Sequence, residues 1–171
     1  VTTKGFRDVY LLGRTDRIPM YDFKYRKPAS LVERQHIAEV SERLDFEGNV
    51  LTPFDEESAV AAARAIRDMD LDSVAVCFLH SYVNPAHEVR MAEILKAEAP
   101  DVVVTISSDL SRQLREYERT STAVLDAYIK PIVRSYLASL EGVISDRGFD
   151  GQFLMMRSGG GAMTAATAKE A

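Results

Sequence analysis

Residues 74–79 (Val-Ala-Val-Cys-Phe-Leu) form an unbroken apolar run, and the polar residues His80, Ser81, Tyr82 and Asn84 crowd its end. A run this short, closed by a turn signal, predicts a strand covered on both faces, as in a parallel sheet. Asn84-Pro85 reads as a cap followed by proline at the first helical position, so a helix is expected to start there. Open α/β sheets bind ligands outside the carboxyl ends of their strands. His80 therefore stands where chemistry would occur, although a histidine in a turn serves equally to satisfy loop backbone.

Around that strand the chain alternates. Residues 52–55 (Thr-Pro-Phe-Asp) open a helix with Ala59, Ala63, Ile66 and Met69 at helical spacing, and Asp55, Glu56 and Glu57 suit its positive end. After the strand, a helix carrying Met91, Ile94 and Leu95 ends near Pro100, and 102–106 is a second short apolar run. Ser107 to Asp109 are expected to cap a helix bearing Leu110, Leu114 and Tyr117. Val124, Tyr128, Ile132, Tyr136, Leu140 and Val143 then form a longer helical stripe ending at Gly148, with Pro131 predicting a kink or break near Ile129. A last apolar run, 153–156, leads into Arg157-Ser158-Gly159-Gly160-Gly161 and a new helix. Upstream, 6–12 reads as a strand ended by Gly13, 37–44 as another strand, and 44–51 as a hairpin turned by Gly48-Asn49. The fold class is α/β with a mostly parallel sheet and an N-terminal β-rich portion. The expected divisions are 1–52, 53–150 and 151–171.

With net charge −5 over 171 residues and no dense Lys/Arg stripe, a surface that neutralises nucleic-acid phosphates is excluded. The stretch 14–28 interleaves Arg14, Arg17, Tyr21, Phe23, Lys24, Tyr25, Arg26 and Lys27, a pattern that can grip single strands. The acidic whole favours a surface loop whose aromatics pack on the sheet. No run is long enough to span a bilayer and no signal-peptide pattern opens the chain, so no membrane partner and a cytoplasmic location are expected. Cys77, the sole cysteine, sits inside the apolar run and reads as core. The chain opens Val1-Thr2-Thr3 without Met and stops as a helix begins, which reads as a fragment of something longer.

Three groups carry candidate chemistry. Ser158, Gly159, Gly160 and Gly161, between a strand and a helix, are the cofactor-binding candidates, because glycines let backbone amides approach a phosphate at a helix start. The pattern matches neither the Walker loop nor the three-glycine dinucleotide fingerprint, and a flexible turn explains it equally. Glu118 beside Arg119 is a possible acid/base with its orienting cation, or a solvated helix face. His80 is the third candidate. His80 and His87 do not have the spacing of a zinc site, and no metal is assigned within this chain.

Several stretches taken in order resemble the hydantoinase A / 5-oxoprolinase family, which includes N-methylhydantoinases and acetone carboxylase subunits. They are 3–9 (Thr-Lys-Gly-Phe-Arg-Asp-Val), 51–55 (Leu-Thr-Pro-Phe-Asp), 74–88, 117–122 (Tyr-Glu-Arg-Thr-Ser-Thr) and 155–161 (Met-Met-Arg-Ser-Gly-Gly-Gly). The resemblance implies part of an actin-like/sugar-kinase ATPase fold, built from two ribonuclease-H-like domains. It implies ATP, with Mg2+, spent on a cyclic amide such as a hydantoin or 5-oxoproline through a phosphorylated carbonyl, or on a ketone to be carboxylated. It also implies a companion hydantoinase B-type subunit. The family's Asp-x-Gly-Gly-Thr and Gly-Pro-Ala-Gly-Gly loops are absent, and its Gln-Ser-Asn-Gly-Gly stands here as Arg157-Ser158-Gly159-Gly160-Gly161. This stretch by itself is therefore expected not to hydrolyse ATP. A non-catalytic interaction module is the alternative.

Overall fold

The computed structural model describes residues 1–14 and 21–170. The first half runs β1 (Thr2–Thr3), α1 (Val9–Leu12), β2 (Glu39–Val40), β3 (Arg43–Leu44), β4 (Val50–Thr52), α2 (Glu56–Asp68) and β5 (Ser73–Val76). It continues through α3 (Ala86–Glu98), β6 (Val103–Ile106), α4 (Ser107–Leu110), α5 (Glu116–Asp146), β7 (Leu154–Met156), β8 (Ala162–Thr164) and α6 (Ala165–Glu170). The chain divides into two compact units, Val1–Ala127 and Tyr128–Ala171.

The first unit is built on parallel strands. β5 pairs with β6 from Ser73↔Val103 to Val76↔Ile106, and α3 makes the crossover between them. β1 pairs parallel with β2, and a parallel bridge from Thr2 to Cys77 joins this pair to the end of β5. The apolar run is buried at Val74, Val76, Cys77, Phe78 and Leu79 and half-buried at Ala75, but the strand ends at Val76, with an isolated bridge at Cys77 and a turn from Leu79. Against them pack Ala59, Ala62, Ala63 and Ile66 of α2 and Met91, Ile94 and Leu95 of α3. α2 starts where its cap chemistry says, with the Asp55 carboxylate accepting the Ser58 amide at 3.3 Å. Its alanine face brings the backbone close to the core. At α3 the Asn84 side chain accepts the Ala86 amide at 3.1 Å and donates to the Gly48 carbonyl at 2.9 Å. The helix thus begins one residue later than expected, with Pro85 rather than Asn84 at the cap position, and Asn84 ties the β3–β4 hairpin to its start. That hairpin turns at Gly48 (φ 86), as expected from Gly48-Asn49.

Several expectations are corrected. Residues 6–12 are not a strand: Gly5 (φ 89) reverses the chain after β1, and a turn and the single-turn α1 follow, closed by Gly13. The 37–44 segment is divided into β2 and β3, because it changes partner from β1 to β4. The helix expected from Ser107 through Tyr117 stops after one turn: Ser111 is extended, Arg115 has φ 88, and Leu114 is exposed. Tyr117 instead belongs to α5. Pro131 does not break α5, which is assigned as one helix of 31 residues. Cooperative propagation on both sides outweighs one lost hydrogen bond. Its expected stripe is also not its buried face. Of the stripe only Val124 is buried and Leu140 half-buried, Tyr128, Ile132, Tyr136 and Val143 are exposed, and Ala123, Ala127 and Leu137 off the stripe are buried. Large apolar residues dominated the periodicity, whereas alanines make the close contacts. In the basic-aromatic stretch Tyr21, Phe23 and Tyr25 are exposed rather than packed on a sheet, and Arg17 lies outside the described residues.

In the second unit the expected strand–glycine–helix is instead a hairpin. β7 turns back on β8 with register from Leu154↔Thr164 to Met156↔Ala162. Gly160 (φ 91) and Gly161 (φ 85) supply the reversal, and α6 begins only after β8. Leu137 and Ala165 are buried here, and Lys169 pairs with Glu141.

Candidate functional site

The carboxyl ends of β5 and β6 converge on a buried carboxylate, Glu88, in the first turn of α3. Its Oε1 accepts from the Phe78 amide at 2.9 Å, Ser81 Oγ at 2.8 Å and Ser107 Oγ at 2.6 Å. Its Oε2 accepts the Ser108 amide at 2.9 Å. The helix start adds partial positive charge, so an ionised carboxylate is well held without water. A full countercharge is supplied by the Arg119 guanidinium, 1% exposed, whose Nη1 lies 3.7 Å from Glu88 Oε1. Arg119 also donates to Ser107 Oγ at 2.9 Å, to the Phe78 carbonyl at 2.8 Å and to Ser81 Oγ. Ser81 has one proton for two acceptors, since its Oγ also lies 3.0 Å from the Phe78 carbonyl. Beside this node a second one forms. Glu42 takes His87 Nδ1 at 2.7 Å and the Thr3 hydroxyl, while Thr3 Oγ1 accepts the Leu79 amide at 3.0 Å. Such nodes hold the strand ends rigid rather than supply free reagents, although Arg119 Nε and Ser108 Oγ are buried without a partner.

The sequence candidates divide on this geometry. Arg119 is the central cation of the node. Glu118, its neighbour, faces away to Arg14 at 2.8 Å, so the two do not form the expected acid/base pair. Its own backbone amide, and after it Arg14, hold the Glu118 carboxyl below the usual range, which makes it a weak base. His80 stands at the end of β5 with φ 58, its ring 5.9 Å from that of Tyr82. Arg119 Cζ lies 5.8 Å from the same Tyr82 ring. Cys77 is buried beside Thr120 and burial pushes its thiol up, as befits core. Glu88, Glu42, Ser81 and Ser107 were missed. The signal for Glu88 was available: an acidic residue in the first turn after a buried strand has the helix amides and the strand end in reach.

Ser158 to Gly161 form the β7–β8 turn. The Gly160 amide is engaged by the Arg157 carbonyl at 2.9 Å, and a Cβ on any of the three glycines would meet nothing within 4 Å. Among the described residues no group of three His, Cys, Asp or Glu side chains gathers to hold a metal ion. No helix among them is long and apolar enough to cross a membrane.

This arrangement is similar to solved proteins. An acetone carboxylase in its nucleotide-free state superposes with TM-score 0.84 at 28% identity, covering 99% of this chain and 25% of that one. The ATP-dependent caprolactamase of Pseudomonas jessenii gives TM-score 0.84 at 28% identity over 96% of this chain and 24% of that one. The shared mixed α/β fold is consistent with the actin-like ATPase fold that the sequence resemblance implied. Among curated relatives, an uncharacterised protein of Methanocaldococcus jannaschii is 43% identical over 94% of this chain. The acetophenone carboxylase gamma subunit of Aromatoleum aromaticum is 35% identical over 94%, and 5-oxoprolinase 1 of Arabidopsis thaliana 32% over 93%. The chain spans 24% of the length of the first two and 14% of the third. The pattern described as hydantoinase/oxoprolinase N-terminal region matches residues 1–99, and that described as hydantoinase/oxoprolinase matches residues 119–171. The chain belongs to the hydantoinase/oxoprolinase family.

Proposed function

We propose that this chain is part of an ATP-dependent enzyme that opens cyclic amides, working in the cytoplasm with a companion hydantoinase B-type chain. The observation that carries this reading is likeness along nearly the whole chain to proteins named 5-oxoprolinase and caprolactamase. In that reading ATP, with Mg2+, supplies activation of the amide carbonyl. This chain's own residues do three things. The Glu88–Arg119 node fixes the ends of β5 and β6, His80 faces the substrate side of those ends, and the Ser158–Gly161 turn offers backbone to phosphate. Residues 53–150 then belong to the first ribonuclease-H-like domain, after a β-rich segment 1–52, and 151–171 open the second. A ketone carboxylase is the second reading, favoured by the 35% identity to the acetophenone carboxylase subunit.

The test is ATP consumption by the full-length protein with its companion chain, against hydantoin, N-methylhydantoin, 5-oxoproline, caprolactam and acetone. Amide-dependent turnover supports the hydrolase. Turnover requiring acetone and bicarbonate supports the carboxylase, and no substrate-stimulated turnover with any of them sinks both. For the turn, Gly159→Val is the cleaner probe, since Gly160 and Gly161 need positive φ and Gly159 does not. Nucleotide affinity is expected to weaken about tenfold, or ~1.4 kcal/mol, with the melting temperature unchanged. Unchanged affinity by calorimetry would leave the turn a turn.

A further inference from the structure

His80 is the one candidate whose ring is held in place without its hydrogen bonds being met. Its left-handed backbone (φ 58) is closed by the Val83 and Asn84 amides, which donate to its carbonyl at 3.0 and 3.3 Å. A non-glycine residue persists in that conformation where its surroundings over-determine it, and such positions cluster at ligand sites. Nδ1 is shut off from solvent and has no partner, while the residue as a whole is partly exposed and Nε2 is not so enclosed. An N–H placed at Nδ1 would be buried without an acceptor. The proton of the neutral imidazole is therefore assigned to Nε2, which presents a single donor outward.

The surroundings select what that donor takes. Tyr82 lies against the ring on one side, and Arg119, whose guanidinium stands 5.8 Å from the same Tyr82 ring, is paired with Glu88. The strand end thus offers a single imidazole N–H donor beside an aromatic surface, with Arg119 turned to Glu88. That suits a neutral, dipolar ligand and not a phosphate. Resting on the cyclic-amide reading above, we propose that His80 Nε2–H donates to the carbonyl oxygen of a ring amide, making His80 a substrate-contacting residue.

In nitrogen-edited imidazole spectra the His80 signals are identified by their loss in His80→Gly. The full-length protein would be titrated with caprolactam and hydantoin, and with inorganic phosphate as the charged control. Saturable movement of the His80 Nε2 signal with the amides and not with phosphate is expected. In His80→Gly, amide affinity by calorimetry should fall at least tenfold while the melting temperature holds or rises, because glycine relieves the left-handed backbone. His80→Asn, which tolerates that backbone and keeps an N–H donor, should recover part of the affinity. A His80 signal indifferent to both amides overturns the inference. So does a His80→Gly protein that binds them as well as the parent, whatever its melting temperature. A His80 response without ATP-dependent turnover on any substrate would sink the functional reading alone, and turnover with wild-type kcat and KM in His80→Gly would sink this inference alone.

Discussion

Arg119 and Glu88 set the energetics at the scale of single residues. Two opposite charges out of water are tolerable because serines and backbone groups supply most of their hydrogen bonds, Arg119 Nε alone of the guanidinium nitrogens lacking one. Removing one partner strands the other. Arg119→Leu is expected to cost about 3–5 kcal/mol of unfolding free energy, measured by urea titration; a loss under ~1 kcal/mol would show that the pair is not held as described. Cys77 gives a pH signature. Burial raises its thiol above the ordinary value of 9.0, so the folded chain keeps a proton that the unfolded chain releases. Its contribution is full below that value and is lost as pH rises beyond it. A disulfide exchange reagent should accordingly label the unfolded chain rapidly and the native chain hardly at all, with Cys77→Ala as the blank. Rapid native labelling at neutral pH would contradict the burial.

Among the elements, those that packing and capping specify locally were legible and those that depend on partners were not. The buried apolar run, the cap at Asp55 and the Gly48 turn could be read because short-range chemistry decides them. The segment 6–12 could not, since Gly5 redirects it and nothing in its own pattern says so. The face of α5 was misjudged because alanine carries little weight in a periodicity count and much in close packing. In the candidate site, Arg119 was legible as a residue and not as the partner of Glu88, since no spacing rule links positions on separate elements. Two substitutions test the element picture. Gly48→Ala puts a Cβ 2.9 Å from Val83 Cγ1 at a positive φ, and a loss of about 1 kcal/mol or more is expected on thermal unfolding. Pro131→Ala restores a backbone donor inside a continuous helix, and a gain of roughly 1–3 kcal/mol is expected. Destabilisation by Pro131→Ala would mean that the proline geometry is itself needed.

Across the whole molecule the two units differ in how much they bury. The buried apolar residues fall mostly in Val1–Ala127, with Leu137 and Ala165 the ones among the described residues after it. Fewer enclosed contacts mean cheaper local opening. Hydrogen exchange is therefore expected to be faster in β7 and β8 than in β5 and β6, and equal protection would argue against two units of unequal stability.

The node at the strand ends also has a kinetic meaning. It gathers Phe78, Ser81, Glu88, Ser107 and Arg119, and it can close only after α3 has crossed over and β6 has paired with β5. Contacts distant in sequence form late, once the loop between them has been closed. Glu88 therefore stays hydrated through most of the folding reaction and meets Arg119 near its end. Weakening the pair, by Arg119→Lys for example, should leave the refolding rate nearly unchanged and speed unfolding instead. In stopped-flow chevrons the unfolding limb would rise while the folding limb stays in place. The ion pair would then act as a latch on the finished structure, setting how long the strand ends stay assembled rather than how fast they are built.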